Sequence, residues 1–167
     1  SRLCSFALRC DVQKGKDIAI TFKDLYLVHH NIPGKEVDFH SHDEHLLFIP
    51  LQGEISVFLD KETLRCGPGR MIYVPTKTVH RFESSSHQGE RLIALLSPQV
   101  WKKAKGPKQK PCVLTASQLC KEILFYLLLN PKTKHSPSLI LVLIQTLAES
   151  FALQSQMQMD HLESVSS

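Results

Sequence analysis

GKEVDFHSHDEHLLFIPLQG, Gly34 to Gly53, sets two histidines, His40 and His42, one residue apart between bounding glycines. Strand side chains alternate between faces, so a pair at this spacing points to one side and can grip one ion or one polar group. A second segment answers it: GRMIYVPTKTVH, Gly69 to His80, in which Met71 to Val74 reads as a strand and Pro75, Lys77 and His80 follow. A third histidine reaching the first two must come from such a neighbouring strand, which makes His80 their partner. Histidines at i, i+2 are common on ordinary surfaces. The glycines and proline that fix turns at the ends of both segments set this pair apart.

The flanking sequence is rich in short strands. DIAITFKDLYLVHH, Asp17 to His30, gives two of them turning near Lys23-Asp24, and Asn31-Ile32-Pro33-Gly34 is a turn by composition. Leu46 to Ile49 and Glu54 to Leu59 read as paired strands around Gln52-Gly53. Thr63 to Cys66, Met71 to Val74, Val79 to Glu83 and Arg91 to Leu96 follow, and Ser84-Ser85-Ser86 reads as a loop before His87. Many short strands at close spacing predict a mainly β sandwich or barrel. If strand parity runs on from the histidine pair, Glu44, Leu46 and Phe48 share its side and form a pocket, polar at one end and apolar deeper in. Tyr73 of the second segment is added to that pocket. His29, His30 and His45 are expected to face solvent or accept strand-edge hydrogen bonds.

Beyond Ser97 the texture changes. WKKAKGPKQKP, Trp101 to Pro111, holds five lysines with Gly and Pro, and 101–114 is expected as a basic linker. Thr115 with Gln118 fits a capping box for a helix ending at Asn130-Pro131, and Ser136-Pro137 supplies the cap and first-turn proline of a second helix reaching about Leu153. Ile140, Leu143, Ile144, Leu147 and Phe151 give that helix one apolar face. The short connection predicts an αα-hairpin over 115–153, and its leucines (Leu127, Leu128, Leu129, Leu139, Leu141, Leu143) exceed what one internal contact covers, which predicts a homodimer through these helices. Residues 154–167 read as a polar tail, the start of a linker to something further on. The domain layout is thus a barrel with an N-terminal arm over 1–100, a linker, a hairpin and a tail.

With 167 residues, 43% hydrophobic and 22% charged, the chain is sized for one compact core, and a net charge of +4 neither demands nor forbids an anionic partner. Cys4, Cys10, Cys66, Cys112 and Cys120 are scattered and include no CxxC pair, as expected of free thiols in a reducing cytoplasm. No secretory signal is visible, and the apolar runs in the sequence fall short of the roughly 20 residues that span a bilayer. Phosphate loops, nucleophile elbows and zinc-finger spacings are likewise missing.

The two glycine-framed segments resemble the two motifs of the cupin superfamily, with fifteen residues between them. The resemblance implies a jelly-roll barrel. Three departures stand out: Leu46 occupies the place of the usual glutamate ligand, Lys77 that of a common glycine, and Ser84 that of a frequent asparagine. Barrel, basic segment and leucine-rich hairpin in this order, over about residues 17 to 153, resemble the N-terminal half of AraC-type transcription regulators. That resemblance implies a small-molecule effector in the barrel, dimerisation through the helices, and DNA contact only through a C-terminal domain that this sequence lacks. His40, His42, Glu44, Leu46, Phe48, Tyr73 and His80 are the expected effector site, and an acyl or other amphiphilic molecule suits its lining. His40, His42 and His80 are also candidate ligands for a divalent zinc, nickel, iron or copper ion, with Glu44 as the carboxylate that could join them. A metal-dependent cupin dioxygenase, isomerase or decarboxylase, using Glu44 or His45 for proton transfer, is the alternative; a dimerisation module with an inert barrel is a third reading.

Overall fold

The computed structural model describes residues 17–30, 38–84 and 89–166. The turn at Asn31 to Gly34, Ser85, Ser86 and His87, and both Cys4 and Cys10 lie outside the described residues. In chain order the elements are β1 (Ile18–Thr21), β2 (Leu25–His30), β3 (His45–Gln52), β4 (Ile55–Phe58), β5 (Thr63–Cys66), β6 (Arg70–Val74), β7 (Arg81–Ser84), β8 (Glu90–Leu96), α1 (Pro98–Lys103), β9 (Cys112–Thr115), α2 (Gln118–Leu129) and α3 (Ser136–Ser166). The strands form two antiparallel sheets, ordered β1-β2-β8-β3-β6-β9 and β5-β4-β7.

Strand alternation gives the six-stranded sheet two apolar faces. Leu46 and Phe48 of β3, with Ile72 and Val74 of β6, meet Ile55, Val57, Cys66 and Phe82 from the smaller sheet, and this cluster lies in the barrel interior. The neighbouring residues point the other way: Leu47, Ile49, Met71, Tyr73, Leu92, Ala94 and Leu96 pack beneath Trp101 of α1, Leu124 and Leu127 of α2, and Ile140, Leu143, Ile144, Leu147 and Phe151 of α3. Each fully buried large apolar side chain contributes about 1.5–3 kcal/mol relative to exposure, so the helices are held to the sheet by a core as extensive as the barrel's own.

Several expectations need correction. β3 and β4 do not pair: β3 lies between β8 and β6, and β4 between β5 and β7. Gly53, at φ 82°, turns the chain from one sheet to the other, a conformation open to glycine at little steric cost. The expected linker 101–114 is built into the fold. Ser97 caps α1 by accepting from Val100 N (3.1 Å) and donates its own hydroxyl to Asp24 Oδ1 (2.9 Å). Trp101 is 5% exposed and donates from Nε1 to Pro107 O (3.1 Å), while Cys112 to Thr115 pairs with Arg70 to Tyr73. Because Thr115 is taken up by that pairing, the cap of α2 is Ser117, which accepts from Cys120 N at 3.1 Å. The second helix runs on to Ser166, past the expected end at Leu153.

Of the six hairpin leucines, Leu127, Leu128 and Leu143 are buried, Leu139 and Leu141 half-buried, and Leu129 exposed. Internal packing therefore takes most of the surface that the sequence assigns to a partner. Ser136–Leu162 is long and apolar enough to cross a membrane by length and composition alone. Its face from Ile140 to Phe151 is occupied by the core. Cys66, Cys112 and Cys120 are free, and burial pushes their thiols up to about 11, 11 and 12, so they remain protonated at neutral pH.

The strap after α1 is tight. Gly106 N donates to Trp101 O (2.8 Å), and a Cβ at Gly106 would fall well inside van der Waals contact of the indole. Gly106→Ala should therefore destabilise the fold by about 1–3 kcal/mol and change the emission of the single tryptophan; a melt that follows tryptophan fluorescence reads both.

Candidate functional site

The two motifs meet through backbone before they meet through side chains. His40 and His80 form an isolated antiparallel bridge, with His40 N to His80 O and His80 N to His40 O both at 2.9 Å, and Lys77 N donates to His42 O at 2.8 Å. The histidine pair does not lie on a regular strand, since β3 begins only at His45 after bends at Asp43 and Glu44. The three rings nevertheless converge: His40 and His80 centroids are 4.4 Å apart, His42 and His80 5.0 Å, His40 and His42 5.7 Å. One ligand atom from each lies within 4.8 Å of the others.

Backbone carbonyls orient the rings. His40 Nδ1 lies 2.8 Å from Asp38 O, His42 Nδ1 3.2 Å from Glu44 O, and His80 Nδ1 2.8 Å from Thr78 O. A carbonyl can only accept, so each Nδ1 carries a proton, which makes Nε2 the nitrogen available to a metal, as in metal-binding imidazoles. The donor set therefore fits a divalent metal. Bound there, such an ion would supply Lewis acidity at its remaining coordination positions. Burial pulls His80 down to about 4, the carbonyl of Thr78 opposing and His40 and His42 adding to the fall, so this ring is neutral at physiological pH.

The carboxylate offered by Glu44 is not in the group. Its Oε2 lies 3.8 Å from His42 Nδ1, the nitrogen already committed to the Glu44 carbonyl, and its side chain is 43% exposed. Leu46 and Phe48 do face the barrel interior, and Phe82, two residues beyond His80, closes on Phe48 edge-to-face at 4.9 Å. Tyr73 does not join them. It belongs to the opposite face, where Ile72 and Val74 leave it by alternation, and its hydroxyl shares a 2.8 Å hydrogen bond with His45 Nδ1.

His45, expected at the surface, stacks on Trp101 with centroids 4.0 Å apart and planes 11° from parallel, and burial lowers it to about 4. His29 also belongs to the interior, 2.7 Å from Glu90 Oε1 and 1% exposed, whereas His30 is half-buried with Nε2 3.8 Å from Asp17 Oδ2. Arg91 escaped the sequence reading altogether. The residue is 2% exposed, and its guanidinium lies over the rings of Phe48 (5.5 Å) and Phe82 (5.2 Å). A basic residue alternating with Ile93 and Leu95 in an interior-facing strand register was the available signal.

Residues 28–96 match the family described as Cupin domain. No curated protein matches the sequence. Among solved structures, the AraC-like transcriptional activator CuxR superposes with a TM-score of 0.63 over 80% of this chain and 54% of its own, at 13% identity. A cupin superfamily protein from Desulfitobacterium hafniense DCB-2 gives 0.44 over 50% of this chain and 79% of its own, at 16% identity. Bacillus subtilis oxalate decarboxylase, a protein with Mn(II) centres, gives 0.40 over 44% of this chain and 21% of its own, at 21% identity. The chain thus spans about half the length of the regulator and about a fifth of the decarboxylase. Identities this low speak to fold alone.

Two predictions follow from the histidines and the loop that carries them. His80 and His45 have lowered folded-state values, so between about 4 and 6.5 the unfolded chain binds more protons than the folded one, and stability falls as pH drops through that window. Chelator-treated protein should lose on the order of 2–3 kcal/mol from the buried His80 alone, measured by denaturant melts at pH 7, 5.5 and 4, and His80→Ala should flatten the profile. Lys77 sits at φ 59°, where a Cβ is unfavourable; Lys77→Gly should raise stability by about 0.5–1 kcal/mol without moving the histidines.

Two antiparallel sheets, the bridged motifs and the family match agree, and they make residues 28–96 of this chain a cupin domain, mainly β and followed by C-terminal helices.

Proposed function

We propose that the chain is the ligand-sensing and dimerisation part of a bacterial AraC-type transcriptional regulator, working in the cytoplasm, with a small-molecule effector held inside the cupin barrel. The observation that carries this reading is the reach of the likeness to the AraC-like activator. It covers 80% of the chain, well past the cupin match at 28–96, and so takes in helices packed on the outer face of the barrel. The effector would meet His40, His42 and His80 at one end and Leu46 and Phe48 deeper in, with zinc, nickel, iron or copper as the ion that three imidazoles suit. DNA contact would fall to a further C-terminal domain. The dimer contact would use apolar surface left over by internal packing: Leu129 (44% exposed) and Val142 (40%) on the hairpin, and Leu153, Met157 and Leu162 along the outer half of α3.

A metal-dependent cupin enzyme is the second reading, favoured by the three converging imidazoles alone. Of its two proton-transfer candidates, His45 is stacked on the far side of the sheet, which leaves only Glu44 near the cluster.

Native mass spectrometry tests both readings. The sensor reading expects a dimer, with an organic molecule retained in the barrel, that becomes monomeric in the double variant Leu153→Glu, Met157→Glu. A metal-bearing monomer that turns over a small substrate, and stops doing so in His42→Ala, would overturn it in favour of the enzyme.

A further inference from the structure

The barrel interior holds a buried cation whose best hydrogen-bonding edge is unused. Arg91 is 2% exposed, and among the described residues its Nε and Nη2 have no hydrogen-bond partner. These two nitrogens are not an arbitrary pair. Nε–H and the adjacent Nη2–H form one straight edge of the planar guanidinium, the edge that takes both oxygens of a carboxylate or phosphate at once. Burial draws the Arg91 pKa down, with Asp17 opposing, yet an arginine stays charged in proteins. A buried charge with two donors unmet costs the fold heavily unless an anion meets it.

The surroundings fit an anion with an apolar body. Phe48 and Phe82 present ring faces to the guanidinium at 5.5 and 5.2 Å, and Phe82 leads back along the chain to His80. His30 is opposite Arg91 in the β2–β8 register, and its Nε2 is 3.8 Å from Oδ2 of Asp17, the carboxylate whose charge also acts on Arg91. The interior therefore has two polar ends, the histidine cluster and Arg91, with aromatic rings between them.

We propose that Arg91 is the anion-recognition residue of the barrel, and that the ligand is a small amphiphile whose two-oxygen anionic group docks on the Nε/Nη2 edge while its apolar part lies against Phe48 and Phe82. This rests on the sensor reading and sharpens it, because it requires the effector to be an acid and excludes neutral molecules.

Thermal-shift titration of the whole chain tests it, with octanoate, benzoate and octyl phosphate as probes and octanol and methyl benzoate as neutral matches. Octanoate or benzoate should raise Tm where the neutral partners do not; a response to octyl phosphate alone would place the anion among phosphates and leave the role of Arg91 intact. Arg91→Met fills the space without the charge. It should melt at or above the wild-type temperature without ligand and bind the acid at least tenfold more weakly, while Arg91→Lys, charged but without the straight edge, should lose most of the preference for acid over neutral match. If Arg91→Met unfolds or melts well below wild type without ligand, the guanidinium belongs to the apo fold and the inference fails. Octanol binding as well as octanoate would also overturn it while leaving the sensor reading standing, and so would the absence of any response to the three acids.

Discussion

Two backbone hydrogen bonds between His40 and His80, each 2.9 Å long, hold together what the rest of the site requires. They tie the approach to β3 to the approach to β7, segments that sit on different sheets, and they do so at the residues whose rings must meet. The ring geometry then follows locally, since every Nδ1 is claimed by a carbonyl only two residues away. A cluster built this way needs little from distant packing. Its dependence is on loop conformation, which is why the left-handed Lys77, donating its N–H to His42 O, persists at a position that carries a steric cost.

Much of this was legible in sequence because the signals were local. Glycines at 53 and 69 do adopt positive φ, at 82° and 91°, and most strand limits agree to within a residue or two with the alternation that predicts them. The convergence of His40, His42 and His80 matches the motif frame, although the pair precedes β3 and strand alternation is not what aligns it. What failed was pairing. Period-two alternation says that Leu46 and Phe48 share a face, but it does not say which strand lies alongside, and β3 and β4 read as a hairpin when Gly53 in fact carries the chain across to the other sheet.

The misplaced residues share a cause as well. Tyr73 and His45 are one register position away from the interior, and a single step along a strand exchanges barrel for helix-covered face. The basic stretch after Ser97 misled through composition: its lysines mark solvent exposure at 102, 103, 105, 108 and 110, yet Trp101, Leu114 and the Ser97-Pro98 cap signal embed the same stretch in the core. The Ser-Pro pair at 136–137 marked a helix start because a long apolar periodicity followed it, although that helix begins at Ser136 itself and not after it. Arg91 was passed over for the converse reason: despite its alternation with Ile93 and Leu95, a charged residue reads as solvated until the strands that bury it are known.

β3, β6 and β8 bear on both clusters at once. Leu46, Phe48, Ile72 and Val74 are buried in the interior, with the Arg91 guanidinium beside the Phe48 ring, while Leu47, Ile49, Met71, Tyr73, Leu92 and Leu96, their immediate neighbours in chain, carry the helices. Interiors packed at crystal-like density do not absorb strand rotation within one layer. Any twist or slide imposed on these strands from the barrel side must therefore reappear under Trp101, Leu124 and Phe151, one sheet thickness away, and no separate relay of residues is needed to link the barrel interior of this domain to its helices.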